Sequence, residues 1–185
     1  PLVRVGMRLA LGGEGPVVDW LVHMRRLPAN RMLDALILAR QASPSKGEVA
    51  FLATCLARFY RQQQSSPPSA GLYFAHLQRE QAVNSGNLRQ MAQFLPDIPL
   101  ALVTNGLEGS IARMEPEISA REAAGLVVEG HGDLRPEHVC LTDPPVIFDR
   151  VETARELRVI DVFDEVGYLA AECTLMGRTD LGEGL

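Results

Sequence analysis

Cysteine is scarce in this 185-residue sequence: Cys55, Cys140 and Cys173 stand far apart and are odd in number. That excludes a disulfide framework and a zinc-ligand pattern, and it fits buried free thiols in a reducing, cytoplasmic setting. Long apolar runs are missing as well, none reaching the roughly 20 residues that span a bilayer. No signal-peptide pattern is visible, and the chain opens on Pro1. A basic excess is absent: 18 Lys and Arg face 23 Asp and Glu, interspersed, for a net charge of −5. That argues against a nucleic-acid surface or an anionic-membrane surface, either of which needs a basic face. No internal repeat is evident. What remains, 46% apolar and 22% charged residues, is ordinary globular composition, enough for one good core.

Residues 2–10 (LVRVGMRLA) alternate apolar and polar, as a half-buried strand does. GGEG at 12–15 is turn chemistry, and PVVDWLVHM at 16–24 completes a β-hairpin with Trp20 in its core. Residues 30–41 have helical periodicity. Ser45 and Glu48 form a capping box opening a helix whose core face carries Phe51, Leu52, Cys55, Leu56 and Phe59. A polar loop at 62–69 follows. A helix over 70–95 is broken near Asn84–Gly86, and another over 100–125 bends near Pro116. LVVEG at 126–130 is a short strand. VCL (139–141) and VIF (146–148), separated by TDPP, form a small hairpin, and a final helix starts at Asp161.

The chemistry concentrates in GHGDLRPEHVCL (130–141) and FDRVE (148–152). Pro136 biases Arg135 away from helix and Gly132 permits backbone angles closed to other residues, so Asp133 sits on an irregular loop. An Asp held there can accept a proton from an attacking hydroxyl. Asp149 follows sixteen positions later at the end of an apolar strand. The hairpin between them returns the chain and brings both carboxylates to one rim, an arrangement suited to a hard divalent cation that bridges phosphates. Singly, each acid reads as readily as a turn or cap residue. The ordered combination carries the signal.

That combination, with LRVIDVFDEVGYLA (157–170) and VVDWLVHMRRLPANRMLDALI (17–37), resembles the aminoglycoside phosphotransferase-like branch of the protein-kinase-like superfamily. The resemblance spans most of residues 16–176, with specific motifs between 130 and 170. It implies an α+β, protein-kinase-like fold. Residues 1–27 would be a remnant β-hairpin of the nucleotide-binding lobe and the hinge, and residues 28–185 a helical catalytic lobe. It implies transfer of the ATP γ-phosphate, with Mg²⁺, to a hydroxyl of a small molecule, without nucleic-acid or membrane partners. By the same resemblance Asp133 would be the catalytic base and Asp149 a metal ligand. His131 and Asp164 would support the catalytic loop, and Met24 and Arg25 would lie against the nucleotide.

Two positions depart from the family pattern. His138 stands where the second metal ligand is usually Asn; neutral imidazole suits zinc or manganese better than magnesium, so His138 is a candidate metal ligand, with a phosphate contact or plain packing as the alternatives. Only about fifteen residues precede the hinge strand, with no lysine among them to clamp phosphates. The expectation is therefore a fragment, inactive by itself, of an enzyme. The alternative is a non-catalytic kinase-derived binding module or an inactive fragment. The same reading expects Asp133, His138 and Asp149 to converge on one cleft beneath the first hairpin. It also expects Asp164 to be buried and bonded to the backbone of residues 131–133.

Overall fold

The computed structural model describes residues 1–39, 43–64 and 70–185, and the architecture is mixed α+β. Three antiparallel strands, β1 (Leu2–Val5), β2 (Arg8–Leu11) and β3 (Val17–Asp19), form a sheet of order β2-β1-β3. Residues 2–10, expected as one strand, fold back on themselves at Gly6–Met7, with Val5 paired to Arg8. Gly6 supplies the reason: its φ of 62° suits the first central position of a two-residue hairpin turn. The strand expected over 16–24 is ordered only at Val17–Asp19, and residues 20–28 have no regular structure. Trp20 is 72% exposed, not core. Within this sheet only Val3 is buried, and among the described residues no second layer covers Leu9, Leu11 and Val17.

The helical body begins with α1 (Leu33–Ala39), shorter than the 30–41 expected, whose last two positions lie outside the described residues. Helix α2 (Lys46–Gln63) opens on the expected capping box. Glu48 N–H donates to Ser45 Oγ at 3.2 Å, and Ser45 N–H donates to Glu48 Oε2 at 2.8 Å. That backbone bond, helped by an ion pair with Arg31, holds the Glu48 carboxyl at about 2. The buried stripe of α2 is Val49, Leu52, Leu56 and Tyr60. The expected face shared Leu52 and Leu56 with it, but Phe51 is exposed and Cys55 and Phe59 are half-buried. Both stripes have helical spacing; the choice between them is made by the neighbours α2 meets. Residues 65–69 of the expected polar loop lie outside the described residues.

Helices α3 (Leu72–Gln90) and α4 (Leu100–Ala123) pack side by side. The break expected at Asn84–Gly86 does not occur. A helical Gly costs only about 1 kcal/mol, and Ser85 is buried against α4, where Gln81 Nε2 donates to Ser85 Oγ at 3.0 Å and to the Thr104 carbonyl at 3.2 Å. Helix α4 runs on through Pro116.

Strands β4 (Val127–Glu129) and β7 (Val159–Asp161) pair antiparallel and form a ribbon between two apolar clusters. Alternation along β4 explains the layering: Val128 joins the main cluster with α1, α2 and the closing helices, while Val127 joins Tyr73 and Ile118 of α3 and α4. The small hairpin is present as β5 (Val139–Cys140) and β6 (Val146–Ile147). Helix α5 (Val162–Leu175) is capped by Asp161, and α6 (Thr179–Gly182) folds against it. No helix among the described residues is long and apolar enough to cross a membrane.

The two regions should respond differently to truncation. Leu169, fully buried in the main cluster, should lose about 2–5 kcal/mol of stability as Leu169→Ala in urea unfolding. Trp20→Ser should change the same midpoint by less than about 0.5 kcal/mol.

Candidate active site

The loop leaving β4 is built around one acid on its inner side. Glu165, in the first turn of α5, is 2% exposed. Its Oε2 accepts the His131 N–H at 3.0 Å and the Tyr60 hydroxyl at 2.7 Å, and its Oε1 accepts the Gly132 N–H at 2.5 Å. Three donors compensate the burial of this carboxylate. Burial, reinforced by the Glu165 charge, pushes the Tyr60 phenol far above its ordinary range, so it stays a donor. The fit is close: a β-carbon on Gly130 would stand 2.6 Å from Glu165 Oε2. Gly132 has φ of 88°, and a β-carbon there would meet the Leu157 carbonyl at 2.8 Å.

Asp164 does not occupy the place expected for it. It is exposed, and its Oδ2 accepts the Tyr73 hydroxyl at 2.6 Å. The correction is one residue along a helix, a turn of about 100°, which moves a side chain from the inner face to the outer. The signal was in the sequence: Glu165, Leu169 and Cys173 are spaced by four and form the buried face of α5. Tyr60 lies on the buried stripe of α2 in the same way.

On the outer side the expected residues meet. His131 is buried; its Nε2 lies 2.7 Å from the Phe148 carbonyl, and its Nδ1 accepts the Asp133 N–H at 3.3 Å. The rings of His131 and His138 stack with centroids 5.9 Å apart, and the Phe148 ring meets His138 edge-on. His138 Nδ1 lies 2.7 Å from the Asp133 carbonyl, which only accepts, so Nδ1 carries the proton. From the two ends of this ring, Asp133 Oδ2 is 3.6 Å from Nδ1 and Asp149 Oδ2 is 3.4 Å from Nε2. One imidazole thus spaces both carboxylates along one rim. Asp149 holds a positive φ of 63°, and its side chain is 73% exposed; that of Asp133 is 42% exposed. With Nδ1 protonated, His138 Nε2 and Asp149 Oδ2 are two lone-pair sites facing each other, an arrangement satisfied by a proton or a cation between them.

Among the described residues no three His, Cys, Asp or Glu side chains converge into a metal cage. The carboxylate oxygens of Asp149 and Asp133 are of the kind Mg²⁺ takes, one or two at a time, with waters and phosphates completing its shell, whereas His138 Nε2 is a nitrogen donor that suits zinc or manganese better. Met24 is 73% exposed. Arg25 lines a cleft of about 750 Å³ together with Leu27, Ala29 and the β5–β6 turn at Thr142 and Asp143; Met24 is not in its wall.

An arginine knot keeps the two motifs in register. Arg150 Nε donates to the Gly130 carbonyl at 2.8 Å, and its Nη2 donates to the Glu129 carbonyl at 2.8 Å. The Glu129 side chain is held by Arg155 at 2.8 Å and by Arg158 at 2.7 Å. Arg158 also donates to the Val151 carbonyl at 2.7 Å, and Val151 N–H donates to the His131 carbonyl at 3.1 Å. The hydrogen bonds from Arg155 and Arg158 bring the Glu129 carboxyl down to about 2.

Among curated proteins, an uncharacterised protein of Mycobacterium bovis and uncharacterised proteins from two strains of Mycobacterium tuberculosis are similar to this chain. Each is 28% identical over 174 residues, covering 92% of this chain and 34% of the relative. The chain therefore spans about a third of the length of the curated relatives it matches. No family model matches it, and no solved structure does.

Two outcomes follow for the loop. Glu165→Ala leaves the buried His131 N–H, the half-buried Gly132 N–H and the Tyr60 phenol without an acceptor and should cost on the order of 1–3 kcal/mol or more in urea unfolding, whereas Asp164→Ala, at an exposed position, should cost clearly less. The second outcome concerns pH. The Glu129 carboxyl titrates at about 2 in the folded chain against an ordinary 4.5. A lowered folded value means the unfolded state binds the proton first as pH falls. The stabilisation is therefore complete above about 4.5 and is lost on going down towards 2. The unfolding midpoint of the parent chain should fall more steeply between pH 5 and pH 3 than that of Glu129→Gln; parallel profiles would remove this role.

Proposed function

We propose that this chain is the acceptor- and metal-side half of a Mg²⁺- and ATP-dependent phosphotransferase of the aminoglycoside phosphotransferase-like, protein-kinase-like group, acting on a small hydroxyl compound. One observation carries the reading: Asp133 and Asp149 stand at the two ends of the His138 ring on one open rim. In this assignment the Asp133 carboxylate takes the acceptor's hydroxyl proton. The acceptor oxygen bonds the γ-phosphorus while the bond from that phosphorus to the β–γ bridging oxygen breaks, leaving ADP and a phosphate ester. Asp149, with His138 Nε2 beside it, would hold Mg²⁺, which when bound neutralises charge on the phosphates. Glu165 and the Arg150 knot keep Asp133 and Asp149 at fixed separation, as positioning catalysis requires.

The rim is open to water, so what it can do alone is limited. Exposed carboxylates act through a high dielectric, and phosphates bound there would be neither desolvated nor clamped from above. The 185-residue chain should therefore bind Mg·ATP weakly in calorimetric titration and form little ADP. The gene's full product should form ADP in the presence of an acceptor. Asp133→Asn should lower that rate about 10²–10⁴-fold, the usual worth of a general base, and Asp149→Ala should abolish it. A full product that binds nucleotide and forms no ADP would make this a non-catalytic binding module.

A further inference from the structure

The His138 ring is held in the way metal-bound imidazoles are held. Its Nδ1–H donates to the Asp133 carbonyl at 2.7 Å, which leaves Nε2 a free lone pair. The backbone thus sets the tautomer. The ring's position is set by His131, stacked on it with centroids 5.9 Å apart, and by the Phe148 ring, edge-on at 6.0 Å. Nε2 and Asp149 Oδ2 stand 3.4 Å apart. Two donors about 2.1 Å from one ion, at an angle of roughly 90–110°, stand about 3.0–3.4 Å apart. The pair therefore has the spacing of two neighbouring ligands on one cation.

The donors decide the ion. Zn²⁺ sites close around three or four protein ligands, most of them nitrogen or sulfur. Among the described residues no third His, Cys, Asp or Glu joins this pair. Asp133 does not supply one: its carboxylate lies at the other edge of the ring, 3.6 Å from Nδ1. Mg²⁺ demands a near-ideal octahedron of oxygens and gives up its waters reluctantly, so a nitrogen is a poor exchange for one of them. Mn²⁺ takes the same oxygen-rich octahedron of carboxylate, water and phosphate, and it belongs to the transition series, whose ions bind nitrogen donors well. One imidazole beside one carboxylate on a wet rim is a mixed shell of that kind.

From this we infer that the ion held between His138 and Asp149 is Mn²⁺ in preference to Mg²⁺, and that His138 sets the preference. Asp133, at the far edge of the ring, stays outside the coordination shell. The ion's part in phosphate transfer rests on the reading above; the preference rests on the His138–Asp149 pair alone. An asparagine at position 138 offers an amide oxygen in place of the nitrogen, and the preference disappears with the imidazole.

The test uses the gene's full product without nucleotide. Mg²⁺ and Mn²⁺ are titrated calorimetrically, and bound Mn²⁺ is read by electron spin-echo modulation, which detects a nitrogen bonded directly to the ion. Mn²⁺ should bind at least about tenfold more tightly than Mg²⁺, and the bound ion should carry one imidazole nitrogen. Asp149→Ala should remove the site for both ions; any signal that survives it belongs to another site and is subtracted. His138→Asn should remove the nitrogen signal and lower the ratio of Mn²⁺ to Mg²⁺ affinity about tenfold, with Mg²⁺ affinity held. Unfolding midpoints of the variants check that the loop is intact. Bound Mn²⁺ without a coupled nitrogen, or a ratio unchanged in His138→Asn, would overturn the proposal. So would the absence of Mn²⁺ binding, the result expected if the pair shares only a proton. Asp133→Asn separates the two readings: it should lower phosphate transfer and leave the nitrogen signal in place. Nitrogen-coupled Mn²⁺ with no ADP formed by the parent protein would sink the phosphotransfer reading while the ion assignment stands.

Discussion

The buried carboxylate of Glu165 is the constraint on which the rest of the site hangs. It joins three separate parts of the chain: Tyr60 near the end of α2, the His131–Gly132 turn, and α5, on which it resides. A carboxylate taken out of water is costly unless every lone pair finds a donor. That cost constrains the loop, because residues 131 and 132 must both turn their N–H groups towards it. Gly130 and Gly132 follow from the same requirement, since a β-carbon at either would collide with the packing around it. With the inner side of the loop pinned in this way, the outer side is free to present Asp133.

A second layer of polar order fixes what faces Asp133. The stacked pair His131 and His138 each bond a backbone carbonyl, one from the Phe148 segment and one from Asp133 itself. The second motif is thereby tied to the first through side chains, in addition to the short β5–β6 hairpin. Arg150, immediately after Asp149, reaches back to the Glu129 and Gly130 carbonyls. The two acids are thus set by hydrogen bonds to their own and the neighbouring backbone, not to their carboxylates. Their carboxylates are left largely open, the state a group needs if its partners are to be a ligand and a substrate.

The molecule is uneven in how it manages apolar surface. The helical body buries aliphatic residues in two clusters on either side of the β4–β7 ribbon. The first sheet leaves Leu9, Leu11 and Val17 open, the irregular segment after it leaves Trp20 and Val22 open, and the surface between α3, α4 and α5 leaves Leu107 and Phe163 open. These surfaces differ in kind. The surface between the helices is a cleft, concave and acid-lined, and the sheet face is exposed at Leu9, Leu11 and Val17.

By itself the sequence determined the local elements whose signals are short-range: the Ser45–Glu48 capping box, the β5–β6 hairpin across TDPP, the strand before the His131 loop and the helix begun by Asp161. It also singled out Asp133 and Asp149, because Gly132, Pro136 and the hairpin spacing constrain the backbone over a few residues; His138 was marked through the family resemblance alone. Decisions between equally periodic alternatives belonged to the tertiary structure. Which stripe of α2 is buried, whether α3 breaks at Gly86, and whether residues 2–10 run as one strand or turn at Gly6 depend on what packs against them. The choice between Asp164 and Glu165 is the sharpest case. Both are acids at the start of one helix, alike in propensity, and only the position of Tyr60 and of the 131–132 amides, brought there from elsewhere in the chain, makes Glu165 the buried anchor and leaves Asp164 to face the cleft.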